Sequence, residues 1–175
     1  MHDGDMPTTS ATRYDYSAIA PDVLDKLRDK DDAGRRPRLL VDEDGGNPLR
    51  CCLTRSAPGE SVALVSYAPL HRWAAETGAD PGAYDEIGPV FIHPQQCGGP
   101  EPGYPSPMGG ERRVFRAYTA DGRIAGGQLL DDHTSEQIGP AEAALDNLFA
   151  DPDVAVVHVR AVEFGCFGFE VRRPA

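Results

Sequence analysis

A histidine set among valines is the first feature of this chain that could do chemistry. In Val154-Ala155-Val156-Val157-His158-Val159-Arg160 a strand places His158 and Arg160 on one face with Val154 and Val156, and Ala155, Val157 and Val159 on the other. The same alternation over Arg112 to Tyr118 groups Arg112, Arg116 and Tyr118 opposite Phe115 and Ala117, and over Leu49 to Thr54 it groups Arg50, Cys52 and Thr54. If these faces meet in one sheet, Arg50, Arg116, Tyr118, His158 and Arg160 form a cationic patch. Such a patch suits an anionic small molecule, because guanidinium groups grip carboxylate or phosphate bidentately. His158 is then the general base, with Cys166 or Cys52 as a nucleophile. The catalytic candidates are His158, Cys166 and Tyr118; the ligand-binding candidates are Arg50, Cys52, His93, Arg116 and Arg160. The competing reading leaves each arginine on a wet sheet face or against an Asp or Glu.

Four cysteines, Cys51, Cys52, Cys97 and Cys166, in 175 residues do not make a disulfide framework, and free thiols fit a reducing cytoplasm. His93 with Cys97, and His158 with Cys166, make a zinc or iron site of mixed ligands conceivable. Neither spacing is a strong motif, and Pro94 prevents a helix from aligning His93 with Cys97. A free cysteine otherwise packs as a small hydrophobe and a strand histidine as a hydrogen-bonded spacer. No metal and no cofactor is therefore expected. The vicinal pair Cys51-Cys52, read as strand, points to opposite faces, so at most one thiol reaches a pocket. A phosphate-cradling Gly-rich loop with Lys, a dinucleotide fingerprint, HExxH and GxSxG are all missing from the sequence.

Several elements must position these residues. Ile19, Val23, Leu24 and Leu27 recur at helical spacing after a potential cap at Ser17, which predicts a short amphipathic helix. Asp29 to Arg38 is charged and turn-like, and Asp42 to Pro48 is a Gly/Asp loop. Leu49 to Thr54 and Ser61 to Tyr67 read as strands about a Pro58-Gly59 turn, and Gly88 to His93 as a third. Pro69 to Gly78 suits a short helix holding Trp73. Arg112 to Thr119 and Arg123 to Leu130 form a hairpin about Asp121-Gly122. Pro140 to Ala150 carries an apolar stripe of Ala141, Ala144, Leu145, Leu148 and Phe149 and reads as a helix. Val154 to Arg160 and Cys166 to Arg172 close the chain as strands. Gly98 to Glu111 holds nine Gly or Pro in fourteen residues, and serves as a solvated connector or a covering loop. The pattern predicts an α+β fold, a mainly antiparallel sheet with two or three helices packed on it.

The length fits one domain over residues 14–175 after a flexible N-terminal tail over residues 1–13. A net charge of -11 argues against nucleic acid and anionic membrane surfaces as partners. No signal peptide or membrane-spanning run is visible, so the cytoplasm is the expected location. Only Lys26 and Lys30 among the 17 basic residues are lysines, a bias of GC-rich bacterial genomes. Oligomeric state is not legible.

A set of segments carries a resemblance. These are Pro48-Leu49-Arg50-Cys51-Cys52-Leu53, Pro58-Gly59-Glu60, Gly88-Pro89-Val90-Phe91-Ile92-His93 with Cys97, Arg116-Ala117-Tyr118-Thr119-Ala120-Asp121-Gly122-Arg123-Ile124, and Val157-His158-Val159-Arg160 with Gly165-Cys166-Phe167. Together they resemble bacterial domain-of-unknown-function family 1203 in an actinobacterial form. The resemblance implies a fold more than a function, since the family brings no assigned reaction or ligand. Two departures stand out, Leu49 where many relatives have Cys and Ala161 where they have Asn. The expectation is a small cytoplasmic enzyme acting on an anionic small molecule, in secondary metabolism. The alternatives are a non-catalytic small-molecule-binding or self-resistance protein and an accessory partner of a larger enzyme.

Overall fold

Short β-rich segments separated by Gly, Pro and Asp turns build ten strands around three α-helices among the described residues. The computed structural model describes residues 12–110, 112–131 and 134–175; the tail expected over residues 1–13 falls, for residues 1–11, outside the described residues. The order is β1 (Asp15–Ser17), α1 (Pro21–Asp29), β2 (Arg38–Asp42), β3 (Pro48–Leu49), β4 (Thr54–Arg55), β5 (Glu60–Tyr67), α2 (Pro69–Thr77), β6 (Gly88–Ile92), β7 (Arg113–Thr119), β8 (Ile124–Leu130), α3 (Ile138–Phe149), β9 (Val154–Ala161) and β10 (Phe167–Arg172). Proline opens α1 and α2, where its missing N–H would be unpaired anyway. Gly78 ends α2 at φ 80°, the left-handed cap that glycine adopts without a Cβ clash. Among the described residues no helix is long and apolar enough to cross a membrane.

The α+β content is as expected, but the single, mainly antiparallel sheet is corrected. There are two five-stranded sheets, one ordered β1-β10-β9-β7-β8 and the other β2-β5-β6-β3-β4, and the second contains a parallel pair. Local hairpin signals predict neighbours correctly, as in β7 and β8. They carry no information on the long-range pairings of β1 with β10 or β3 with β6.

Three apolar clusters hold the layers. Ala141, Ala144, Leu145 and Phe149 of α3 pack on Phe115, Ala117, Val157, Val159 and Phe169 of the first sheet. On the sheet's other face Leu70 and Trp73 of α2 cover Tyr118 and Val156. Leu24 and Leu27 of α1 pack with Val62, Val65, Val90 and Ile92 of the second sheet, and Phe167 of β10 joins that cluster. The central strands β7 and β9 are thus packed on both faces, while β8 at the sheet's edge stays largely exposed.

The Gly/Pro-rich stretch is neither a loose connector nor a lid. Met108 is buried in the α3 cluster, Tyr104 stacks edge-on against Tyr16 at 5.4 Å, and Arg55 donates to the carbonyls of Pro107 and Gly109 at 2.8 Å each. Over residues 100–110 it is a strap pinned to both sheets.

Candidate metal centre

Two neighbouring strands that run the same way deliver their C-terminal ends to the same edge. In the parallel pair Leu49 of β3 sits opposite Phe91 of β6, so the residues just beyond, Cys51 and His93, come together. Cys51 and Cys52 do not continue a strand. The expected strand Leu49 to Thr54 is broken by a turn in which the Leu53 N–H donates to the Leu49 carbonyl at 2.9 Å. Leu53 takes φ 56°, a conformation that costs a non-glycine residue on the order of 1 kcal/mol or more. Its side chain, 3% exposed, is held in the cluster beneath α3, and that burial offsets the strain. The turn removes the alternation that would have split the pair, and both thiols face His93.

The donor atoms of Cys51, Cys52, His93 and Cys97 all lie within 4.8 Å of one another. Cys51 Sγ is 3.9 Å from Cys52 Sγ, and His93 Nδ1 is 3.2 Å from Cys51 Sγ and 3.7 Å from Cys52 Sγ. Tetrahedral zinc with sulfur at about 2.3 Å and nitrogen at about 2.0 Å requires S–S edges of about 3.8 Å and S–N edges of about 3.5 Å. The spacing of Cys51, Cys52 and His93 is close to that of such coordination, and Cys97 Sγ stands within 4.8 Å of all three.

Supporting groups orient these donors. Glu60 Oε1 lies 2.8 Å from His93 Nε2, which places the ring proton there and leaves the Nδ1 lone pair facing the thiols. Glu60 is in turn fixed by the Ala57 N–H at 2.7 Å; that bond first, and then His93, hold its carboxyl below the usual range. The His93 N–H donates to Cys51 Sγ at 3.2 Å, and Thr54 Oγ1 is 3.1 Å from Cys52 Sγ. The two thiols are joined by one S–H···S bond. Cys51 donates to Cys52, which with burial raises Cys51, and the same bond together with the Thr54 hydroxyl pushes Cys52 down to about 5.

Of the residues expected at a site, Cys52 and His93 are brought together here. The others lie elsewhere. Arg50 is buried, donating from Nε to the Phe167 carbonyl at 2.7 Å and from Nη1 to that of Pro48. Arg116 lies across from His158 in the β7–β9 register, but its Nη1 pairs with Glu86 at 3.3 Å, and Arg160 Nη2 reaches the same carboxylate at 3.1 Å. Arg160 also donates to the Gly165 carbonyl at 2.7 Å. Arg116 and Arg160 thus pair with a carboxylate, as the competing reading allows, whereas Arg50 is bonded to backbone carbonyls, which neither reading foresaw. Tyr118 is buried with its ring 5.0 Å from that of His158, and Cys166 is half-buried beside the Phe164 carbonyl.

His158 does not line an open pocket, because the rings of Tyr118 and Phe167 pack against it. It is 0% exposed. Its Nε2–H donates to Glu170 at 3.2 Å, and Nδ1 has no partner among the described residues. Burial holds its pKa below the ordinary 6.5, against the opposing pull of Glu170. The unfolded chain therefore takes up a proton that the folded protein refuses. Stability from this group is complete above 6.5 and is lost as pH falls toward the folded value, by up to about 1.4 kcal/mol per pH unit. His158→Gln keeps an N–H for Glu170 and is expected to flatten this acid slope in urea midpoints measured from about pH 7 to about pH 5. An unchanged slope would assign the titration to another group.

Sequence reasoning passed over Glu60, and it weighed His93 with Cys97 without joining them to the vicinal cysteines. Cys51 was set aside by the strand alternation, and Glu60 looked like one more turn carboxylate.

Fold and cluster together define an α+β protein with a thiol and imidazole donor set where two parallel strands end. Residues 46–173 match the family described as protein of unknown function, DUF1203, and the chain belongs to that family. No curated protein and no solved structure matches it.

Proposed function

We propose that this protein binds a borderline-soft divalent metal ion, zinc above all, through Cys51, Cys52, His93 and Cys97. The observation that carries the reading is the convergence of three sulfurs and one imidazole nitrogen within 4.8 Å, the donor number and type of closed zinc sites. Glu60 on the far side of His93 supports it, since metal-bound imidazoles commonly donate their other N–H to a carboxylate. Sulfur and nitrogen donors with no carboxylate among them favour zinc or iron over magnesium or calcium. The zinc site set aside for lack of a sequence motif is thereby reinstated.

Of the three functions weighed from the sequence, the enzyme and the binding protein for an anionic molecule both lose support, because Arg50, Arg116 and Arg160 are engaged within the fold. A reducing compartment such as the cytoplasm suits the reading, since it keeps the donors as thiols. The test is elemental analysis of protein purified under reducing conditions, loaded with zinc and passed through a desalting column. About one zinc per chain is expected for the wild type and almost none for Cys51→Ala. A wild-type protein that retains no more zinc than Cys51→Ala overturns the proposal.

A further inference from the structure

We infer that the centre is built as three fixed ligands and one exchangeable one, Cys97, whose place on the metal is open to a small exogenous monothiol. This rests on the zinc reading above.

The four donors are not held alike. Cys51 and Cys52 are 2% and 7% exposed, inside the cluster that α1 forms with the second sheet. His93 follows β6, and its position is fixed from three sides: Glu60 on Nε2, Cys51 Sγ on its N–H, and Arg28 Nε on its carbonyl at 3.1 Å. The following segment is anchored as far as Gln95, whose carbonyl accepts from Arg28 Nη2 at 2.8 Å. From Gln96 to Gly99 no backbone hydrogen bond is made among the described residues. Cys97, in the middle of this span, is exposed, and its thiol has no hydrogen bond among the described residues. Gly98 and Gly99 follow, Gly99 at φ 75°, with open space around both. Glycines there give the chain the backbone freedom to swing Cys97 aside.

Space exists for an incoming group. A cleft of about 730 Å³ lined by Leu39, Val41, Glu60 and Ser61 reaches Cys97 from the β2 side, and one of about 460 Å³ lined by Ala20, Leu24 and Cys51 reaches it from the α1 side. Leu39 and Val41 are 68% and 55% exposed, an apolar wall suited to an alkyl arm. Cys97 is the partition between the two clefts.

The chemistry conserves charge and donor type. An entering thiol binds the metal through sulfur as the Cys97–metal bond breaks, and its proton passes to the Cys97 thiolate, which leaves as a neutral thiol. Nothing is oxidised or reduced. Cys51, Cys52 and His93 stay in place, the two-sulfur, one-nitrogen set that proteins use when a fourth metal position must exchange.

The experiment uses the cobalt(II)-loaded full chain, whose sulfur-to-metal charge-transfer absorption counts bound thiolates, with 2-mercaptoethanol as the probe. Metal content of the wild type is measured first; failure there is failure of the zinc reading alone. With metal bound, Cys97→Ala is expected to keep about one cobalt per chain, to lose about a third of the charge-transfer intensity, and to recover it on titration with 2-mercaptoethanol. Cys51→Ala is expected to lose the metal. If Cys97→Ala loses its metal as completely as Cys51→Ala, or keeps it and takes up no thiol, the inference is wrong. A measurement that needs no variant accompanies it. Zinc release from the wild type to a colorimetric chelator should accelerate at least about tenfold with rising 2-mercaptoethanol, and a rate independent of the thiol would overturn the exchange mechanism.

Discussion

Removing zinc from the loaded protein is expected to lower its thermal midpoint by on the order of 10 °C. A ligand bound only to the folded state stabilises it by about 4 kcal/mol when present at a thousand times its dissociation constant, and each kcal/mol moves the midpoint of a chain of this size by about 2 to 4 °C. The fold should nonetheless survive, unlike that of a zinc finger, because three apolar clusters stand without the metal. What the ion adds is local. It ties the turn after β3 to the end of β6 and quenches repulsion between sulfurs gathered within 4.8 Å. Differential scanning fluorimetry with and without a chelator reads the shift, with Cys51→Ala as the control that should show none. Equal midpoints for the wild type in zinc and in chelator would mean that the ion is not tied to folding.

Arg50→Ala is expected to cost about 3 kcal/mol or more, a drop of about 6 to 12 °C in midpoint, without changing zinc content. Arg50 sits where the two sheets meet. Its N–H donates to the Phe91 carbonyl at 2.9 Å and its carbonyl accepts from Ile19 at 3.0 Å. The guanidinium reaches across to Phe167 of β10 and back to Pro48. Burial pushes that guanidinium down to about 10, so it remains charged at neutral pH, and its bonds are of the charge-assisted kind worth about 1.5 to 3 kcal/mol each. Truncation leaves those carbonyls unpaired beside a cavity. A ligand-binding arginine behaves in the opposite way, losing affinity while the midpoint holds. Urea denaturation of the variant distinguishes the two, and an unchanged midpoint would return Arg50 to the role expected from the sequence.

The elements whose periodicity and turns agree were readable in advance. Pro140 and the Ala141, Ala144, Leu145 stripe mark α3 to within two residues of its start, and Asp121-Gly122 marks the β7–β8 turn. The two strands not foreseen are short. β1 has three residues, and β2 is Arg38–Asp42 with Leu39, Leu40 and Val41 between charges, so neither shows a period. Division into two sheets was not readable, because pairing between distant segments is decided by packing rather than by local propensity. The same limit concealed the site. The thiols were placed by treating Leu49 to Thr54 as regular strand, whereas Leu53 at φ 56° bends it into a turn that only the core beneath α3 can enforce. His158 failed the other way: its strand was read correctly, but the packing of the Tyr118 and Phe167 rings against it lies outside any local pattern.

The parallel pairing of β3 with β6 also sets the order in which this molecule can assemble. Cys51 and His93 are 42 residues apart in the chain, and a parallel pair cannot be closed by a hairpin. The β5–β6 hairpin and the return of β3 to the far side of β6 must both precede the meeting of the donors. In the unfolded chain a metal ion meets the vicinal pair and the His93 and Cys97 pair only as separate local sites. The complete coordination sphere therefore belongs to the product of a slow, non-local search and contributes little to its nucleus. The bound ion acts on the return path, slowing escape from the native state and leaving the rate of arrival almost untouched.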